Sequence, residues 1–209
     1  MFASPFIILA YIGTAVFAFS GSLMGIRKRM DVIGVAFVAT VTGIGGGTIR
    51  DLLMGRTPVG WVSNPTDIII CAVVAAISCL FYKFFIGRTL KWLLYADAIG
   101  MALFSVLGTA ISLGSGAHPL IAILFGAMSA TFGGIVRDVI CGEKPIVFST
   151  EIYISASLLG GLGFVLTPEA FGVEIRLLIG LILSALLRGI AIHRGWSLNF
   201  PRYTKKDNP

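Results

Sequence analysis

Charge is scarce in this chain. Of its 209 residues only 12% are Asp, Glu, Lys or Arg, about half the share usual in a soluble domain. That is too little polar surface to cover a globule in water, so a soluble enzyme is excluded first. Histidine is rarer still: His118 and His193 stand alone, and no His/Cys cluster offers a metal site. Three cysteines, Cys71, Cys79 and Cys141, lie inside apolar runs. An odd count without ligand spacing gives neither a disulfide framework nor a metal knuckle, so they read as packing residues. Phosphate loops are missing too: Gly87 to Lys91 lacks the pattern, and Gly43-Ile44-Gly45 lacks the third glycine of a dinucleotide loop. No Ser/His/Asp set shares a depth, so no enzyme activity is expected and no cofactor is called for. The stretch before Phe6 carries no basic residue, which argues against a cleavable signal and keeps the first apolar run as an anchor.

What the chain has instead is apolar length. Hydrophobic residues make up 56% and mean hydropathy is +0.95. Runs of about 20 apolar residues span a bilayer, and such runs fall at roughly 4–26, 32–54, 66–86, 91–113, 119–141, 151–167 and 173–193. The spacing predicts an all-α integral membrane protein of seven transmembrane helices forming one domain over 1–209. The net charge of +6 does not point to nucleic acid, because the basic residues cluster between apolar runs. Arg27-Lys28-Arg29, Lys83/Arg88/Lys91 and Arg194/Arg202/Lys205/Lys206 all fall on one side, as on a cytoplasmic membrane face. This places the N-terminus outside and the polar 199–209 tail in the cytoplasm.

The sequence repeats itself. Gly46-Gly47-Thr48-Ile49-Arg50-Asp51 recurs as Gly133-Gly134-Ile135-Val136-Arg137-Asp138, an offset of 87. The offset holds without a gap: Gly13, Ala15, Phe17 and Gly21 match Gly100, Ala102, Phe104 and Gly108, and Gly55 and Pro58 match Gly142 and Pro145. Each copy, 4–86 and 91–167, covers three helices. An odd number of crossings makes the second copy enter from the opposite side, and the helix at 173–193 lies outside this inverted 3+3 repeat. Such repeats are typical of transport proteins, with the path at the interface of the halves.

Helices two and five carry the candidate chemistry. Small residues at four-residue spacing, Ala39/Gly43/Gly47 and Gly126/Ala130/Gly134, suit close helix packing. Equally, Gly45-Gly46-Gly47 and Gly133-Gly134 weaken the helix, so a kink there could free carbonyls toward a cation path. Thr42, Thr48, Ser129 and Thr131 flank the glycines. They either line that path, where hydroxyls replace part of a cation's hydration shell, or bond back to their own helix. Arg50-Asp51 and Arg137-Asp138 are costly inside a membrane, and read as snorkelling or structural ion pairs, or as gating residues at a pore mouth. Asp97, whose repeat equivalent is Ala10, is either a helix-start carboxylate or the partner of Arg137, which lies at similar depth; Arg50 is too far away.

The seven helices, the inverted repeat and the doubled Gly-Gly-x-x-Arg-Asp at 46–51 and 133–138 resemble the trimeric intracellular cation channel family in its prokaryotic branch. The resemblance covers nearly the whole chain. It implies a homotrimer in membrane lipid, one pore per protomer, kinked helices two and five, and conduction of monovalent cations, potassium in particular. Animal members carry a basic-acidic motif where this chain has glycine, so their lipid and calcium regulation is not implied. Related bacterial sequences also suggest a secondary transporter of a small neutral solute such as glycine; a non-transporting scaffold is a third class.

Overall fold

The structure, a computed structural model, describes residues 4–148 and 152–196. The 199–209 tail and its basic residues lie outside that range. Eight α-helices are described: α1 Ser4–Arg27, α2 Val32–Leu53, α3 Gly60–Ser63, α4 Thr66–Leu80, α5 Thr89–Gly114, α6 Pro119–Ile140, α7 Ile154–Leu166 and α8 Gly172–Arg194, with no strand among the described residues.

Local chemistry sets the helix ends. Asp31 caps α2, its carboxylate accepting from the Gly34 amide at 2.7 Å; a capping oxygen satisfies one of the orphan donors of the first turn. Pro119 opens α6, where its missing N–H costs nothing. α2 and α6 stop in the same way. Met54 and Cys141 amides return to the Arg50 and Arg137 carbonyls, each at 3.0 Å. Gly55 and Gly142 then take φ of +66° and +63°, a conformation that an L side chain resists. Both ends turn sharply just after the Arg-Asp pair, and this fixes where those charges stand.

Adding 87 to the bounds of α2 gives those of α6. The same offset carries α1 onto α5 and α4 onto α7 to within a residue or two. The copies meet reciprocally. Phe17 stacks on its equivalent Phe104 with centroids 5.4 Å apart. A Cβ on Gly46 would overlap the Ser129 carbonyl, and one on Gly133 the Thr42 carbonyl. Reciprocal contacts between equivalent positions are the mark of a local two-fold relation, and α2 crosses α6 on it. The missing side chains let the two backbones touch there.

Two expectations are modified. Of the seven runs, five become helices long and apolar enough to cross a membrane. α4 and α7 have 15 and 13 residues, about 22 and 20 Å at 1.5 Å per residue. The third run ends early because Phe81 closes α4 and Tyr82–Phe85 forms a 3-10 turn, with Phe84 84% exposed; aromatic and Lys side chains of that kind belong at a membrane interface. The eighth helix is the single turn α3. Second, α2 and α6 run unbroken through their glycines. Neither helix unwinds to release carbonyls, and Gly46 and Gly133 each lie against the backbone of the other helix.

Apolar side chains cover the outside, Ile33 at 78% and Leu80 at 75% exposure among many. A surface of this kind needs a hydrocarbon solvent. Polar and charged groups are turned inward: Arg50, Asp51, Asp97, Arg137, Asp138 and Arg188 are all buried. Cys71, Cys79 and Cys141 are free thiols, and Cys71 and Cys141 sit in the core.

Candidate functional site: two charge clusters at a helix crossing

The crossing of α2 and α6 has an Arg-Asp pair at the end of each helix. In the first, Arg50 Nε and Nη2 donate to Asp51 Oδ1 at 3.0 and 2.9 Å, and Nη1 reaches Ser129 Oγ on the other copy at 3.2 Å. Arg56 also approaches Asp51 Oδ1, at 3.4 Å. Neighbouring residues on a helix diverge by about 100°, yet the long guanidinium doubles back, so the pair closes on itself. Around it lies a cavity of about 170 Å3, lined by Thr14, Gly47, Thr48, Arg50, Asp51, Trp61 and Asp67 among others. Trp61, on α3, donates its indole N–H to Thr48 Oγ1 at 2.9 Å. Asp67 accepts from Thr14 Oγ1 at 2.9 Å.

The second cluster is more complete. Arg137 Nε donates to Asp138 Oδ1 at 2.8 Å, while Nη1 donates to Asp97 Oδ1 and Ser20 Oγ, each at 2.6 Å. The pair anticipated between Asp97 and Arg137 is therefore present. Tyr153 donates to Asp97 Oδ2 at 2.5 Å, and the Ile146 amide to Asp138 Oδ2 at 3.1 Å. Arg188 of α8 lies 4.9 Å from the Tyr153 ring centroid and donates to the Ile152 carbonyl at 3.2 Å. Two guanidinium groups and two carboxylates balance. Ile146, Val147 and Tyr153 fill the space that is open in the first copy, leaving no room for water. One end of the crossing is thus open and the other sealed.

The remaining candidates divide between crossing and cavities. Thr42 is wholly buried and donates to the Val38 carbonyl at 2.6 Å; Ser129, also buried, serves Arg50. Gly45, Gly46 and Gly133 form the contact itself, Gly45 lying over Gly133. Gly47 and Thr48 face the open cavity, and Gly134 and Thr131 the sealed one. Thr48 and Thr131 bond back to Ile44 and Ala127 carbonyls, as membrane hydroxyls do. Sequence reasoning passed over Thr14, Ser20, Trp61, Asp67, Tyr153 and Arg188. For Arg188 a signal existed, a charge inside an apolar run; Asp67 stands at the start of one, in the first turn of α4. Tyr153 gave none, since its repeat equivalent is Thr66. Outside the membrane, Glu143 meets Lys28 at 2.8 Å, and the Lys28 hydrogen bond and charge, with help from Arg27, hold its carboxyl below the usual range. Among the described residues, no three His, Cys, Asp or Glu side chains gather as a metal site would need.

Known proteins share this fold. A family model described as "Glycine transporter" matches the chain twice, over residues 7–83 and 94–169. The Escherichia coli K12 inner membrane protein YadS, of the group UPF0126, is 37% identical over 96% of this chain and 97% of its own. A UPF0126 membrane protein of Vibrio cholerae is 39% identical over 91% of this chain and 80% of its own. Among solved structures, the trimeric intracellular cation channel orthologue from Rhodobacter sphaeroides is 41% identical, covers 93% of this chain and all of its own, and superposes with a TM-score of 0.88. A prokaryotic channel of the same kind, solved in 0.5 M KCl, gives 0.86 at 29% identity over 94% of this chain and 98% of its own. Fold, doubled motif and relatives agree: the chain belongs to the prokaryotic branch of the trimeric intracellular cation channel family.

Proposed function

We propose that this protein conducts monovalent cations, potassium foremost, through a pore in each protomer of a homotrimer in the bacterial inner membrane. The observation that carries the reading is the open cavity at Arg50-Asp51, on the same local two-fold as a sealed counterpart at Arg137-Asp138. Two half-paths meeting at the α2–α6 crossing, one open and one shut, suit a closed channel. The relatives support it: the Rhodobacter sphaeroides protein is named a trimeric cation channel. Conduction requires α2 and α6 to bend or part at Gly45–Gly47 and Gly133–Gly134, bringing Thr42 and Ser129 onto the path beside Thr48 and Thr131. Seven crossings, with α4 and α7 as the two short ones, put the N-terminus outside and the tail in the cytoplasm, following the basic residues. The permeant ion, potassium or sodium, is the only small partner this reading needs; membrane lipid surrounds the trimer, and neither a cofactor nor nucleic acid enters.

Planar-bilayer recording of the purified protein under potassium and chloride gradients tests the reading. Unitary currents that reverse near the potassium equilibrium potential are expected. Silent bilayers, together with saturable glycine uptake into vesicles, would replace the channel by a transporter.

A further inference from the structure

The two copies differ in charge at several positions, Arg56 against Glu143 among them. Beside each Arg-Asp pair one further helix acid is not duplicated by the repeat. At the sealed end it is Asp97, equivalent to Ala10, and it is neutralised by Arg137 and capped by Tyr153. At the open end it is Asp67, equivalent to Ile154. Its hydrogen-bond partner Thr14 is equivalent to Met101, so both members of the Asp67–Thr14 pair are apolar in the second copy.

By count the open end balances, Arg50 and Arg56 against Asp51 and Asp67, but the pairing is uneven. Arg50 spends Nε and Nη2 on Asp51 and Nη1 on Ser129, and Arg56 also turns to Asp51. Asp51 thus draws both guanidinium groups of that end. Among the described residues no Lys, Arg or His lies within ion-pair distance of Asp67, which keeps Thr14 as its hydrogen-bond donor. Asp67 lines the cavity between the apolar walls of Phe104, Leu107 and Ile111. A cavity walled by low-dielectric material focuses the field of a fixed charge onto the ions that enter it. A carboxylate without an ion pair at membrane depth is costly, and a mobile cation or a bound proton offsets that cost.

Resting on the channel reading above, we propose that Asp67, oriented by Thr14, is the fixed charge that selects cations over anions in the open vestibule. The sealed end has no counterpart, because its acid is already spent on Arg137. The vestibule therefore enriches cations from one side of the membrane only, and conduction is unequal in the two directions.

The test is the reversal potential of purified protein in a planar bilayer under a KCl gradient. Asp67→Asn and Asp67→Ser should each lower the potassium-to-chloride permeability ratio about tenfold and reduce rectification, while Asp67→Glu retains wild-type values. In the wild type, selectivity should weaken between 0.1 M and 1 M KCl, as the screening length falls from about 10 to about 3 Å. A merely structural role would change open time or yield and leave the reversal potential alone. Conducting channels with unchanged reversal potential in either neutral variant overturn the inference and leave the channel reading standing. If neither neutral variant assembles, wild-type selectivity that does not vary with salt overturns it. A silent wild type, in bilayers where a reference channel conducts, removes the channel reading and the inference with it.

Discussion

Replacing Arg137 by Gln should be among the most damaging single changes in the molecule. Its side chain is fully buried and Asp97 is only 2% exposed. Arg137→Gln leaves the Asp97 and Asp138 carboxylates without the guanidinium they share; removing one partner of a buried pair costs about 3–5 kcal/mol. Asp97→Asn is gentler. Arg137 keeps Asp138, the new amide still accepts from Nη1, and Tyr153 keeps a partner. The loss is the charge component of one hydrogen bond, on the order of 1–2 kcal/mol. Once Asp97 is neutral, Arg137→Gln strands one carboxylate instead of two, so the double variant should cost no more than Arg137→Gln alone. The coupling is then on the order of 1–3 kcal/mol. Equilibrium unfolding in detergent micelles, followed by tryptophan fluorescence, reads all four corners of the cycle. Simple additivity, or an Arg137→Gln cost below about 1 kcal/mol, would refute the argument that this pair holds the sealed end together.

Gly46→Ala and Gly133→Ala put a Cβ into the facing backbone and should each destabilise by about 1–3 kcal/mol. Gly47→Ala, whose Cβ would meet only Arg50 Nη2 at 3.8 Å, should stabilise by up to about 1 kcal/mol. Equal effects at the three positions would show that close approach is not what the glycines provide, and a fall in Gly47→Ala conductance would identify a bend. Tyr153→Phe deprives Asp97 Oδ2 of its donor and should cost about 1–3 kcal/mol while raising open probability; unchanged open probability would remove Tyr153 from the seal. Lys28 lowers the Glu143 carboxyl pKa, so the stability it adds is present at neutral pH and lost as pH falls through that lowered value. A Glu143→Gln variant should lack this component in an acid titration of micellar stability, and identical acid profiles would sever the link.

The helices, their ends and the repeat were legible in the amino-acid sequence because each follows from local or periodic chemistry. Apolar length requires a membrane, Asp31 and Pro119 open helices, and Gly55 and Gly142 close them. An ungapped 87-residue offset forces equivalent residues into equivalent places. The Asp97–Arg137 pair was also within reach, because helical rise alone puts the two at one depth. Spacing could not say what the glycines do, since a helix weakened for bending and a helix thinned for contact carry the same residues. Only the crossing of α2 over α6, with the Ser129 carbonyl against Gly46 and the Thr42 carbonyl against Gly133, reveals the contact. Nor could spacing bring Tyr153 to Asp97, or Arg188 to the Tyr153 ring, because those meetings depend on how α7 and α8 pack on α5 and α6. The difference between the two ends is likewise tertiary: the motifs are the same, and the fold leaves Asp67 beside an open cavity while burying Asp97 against Arg137.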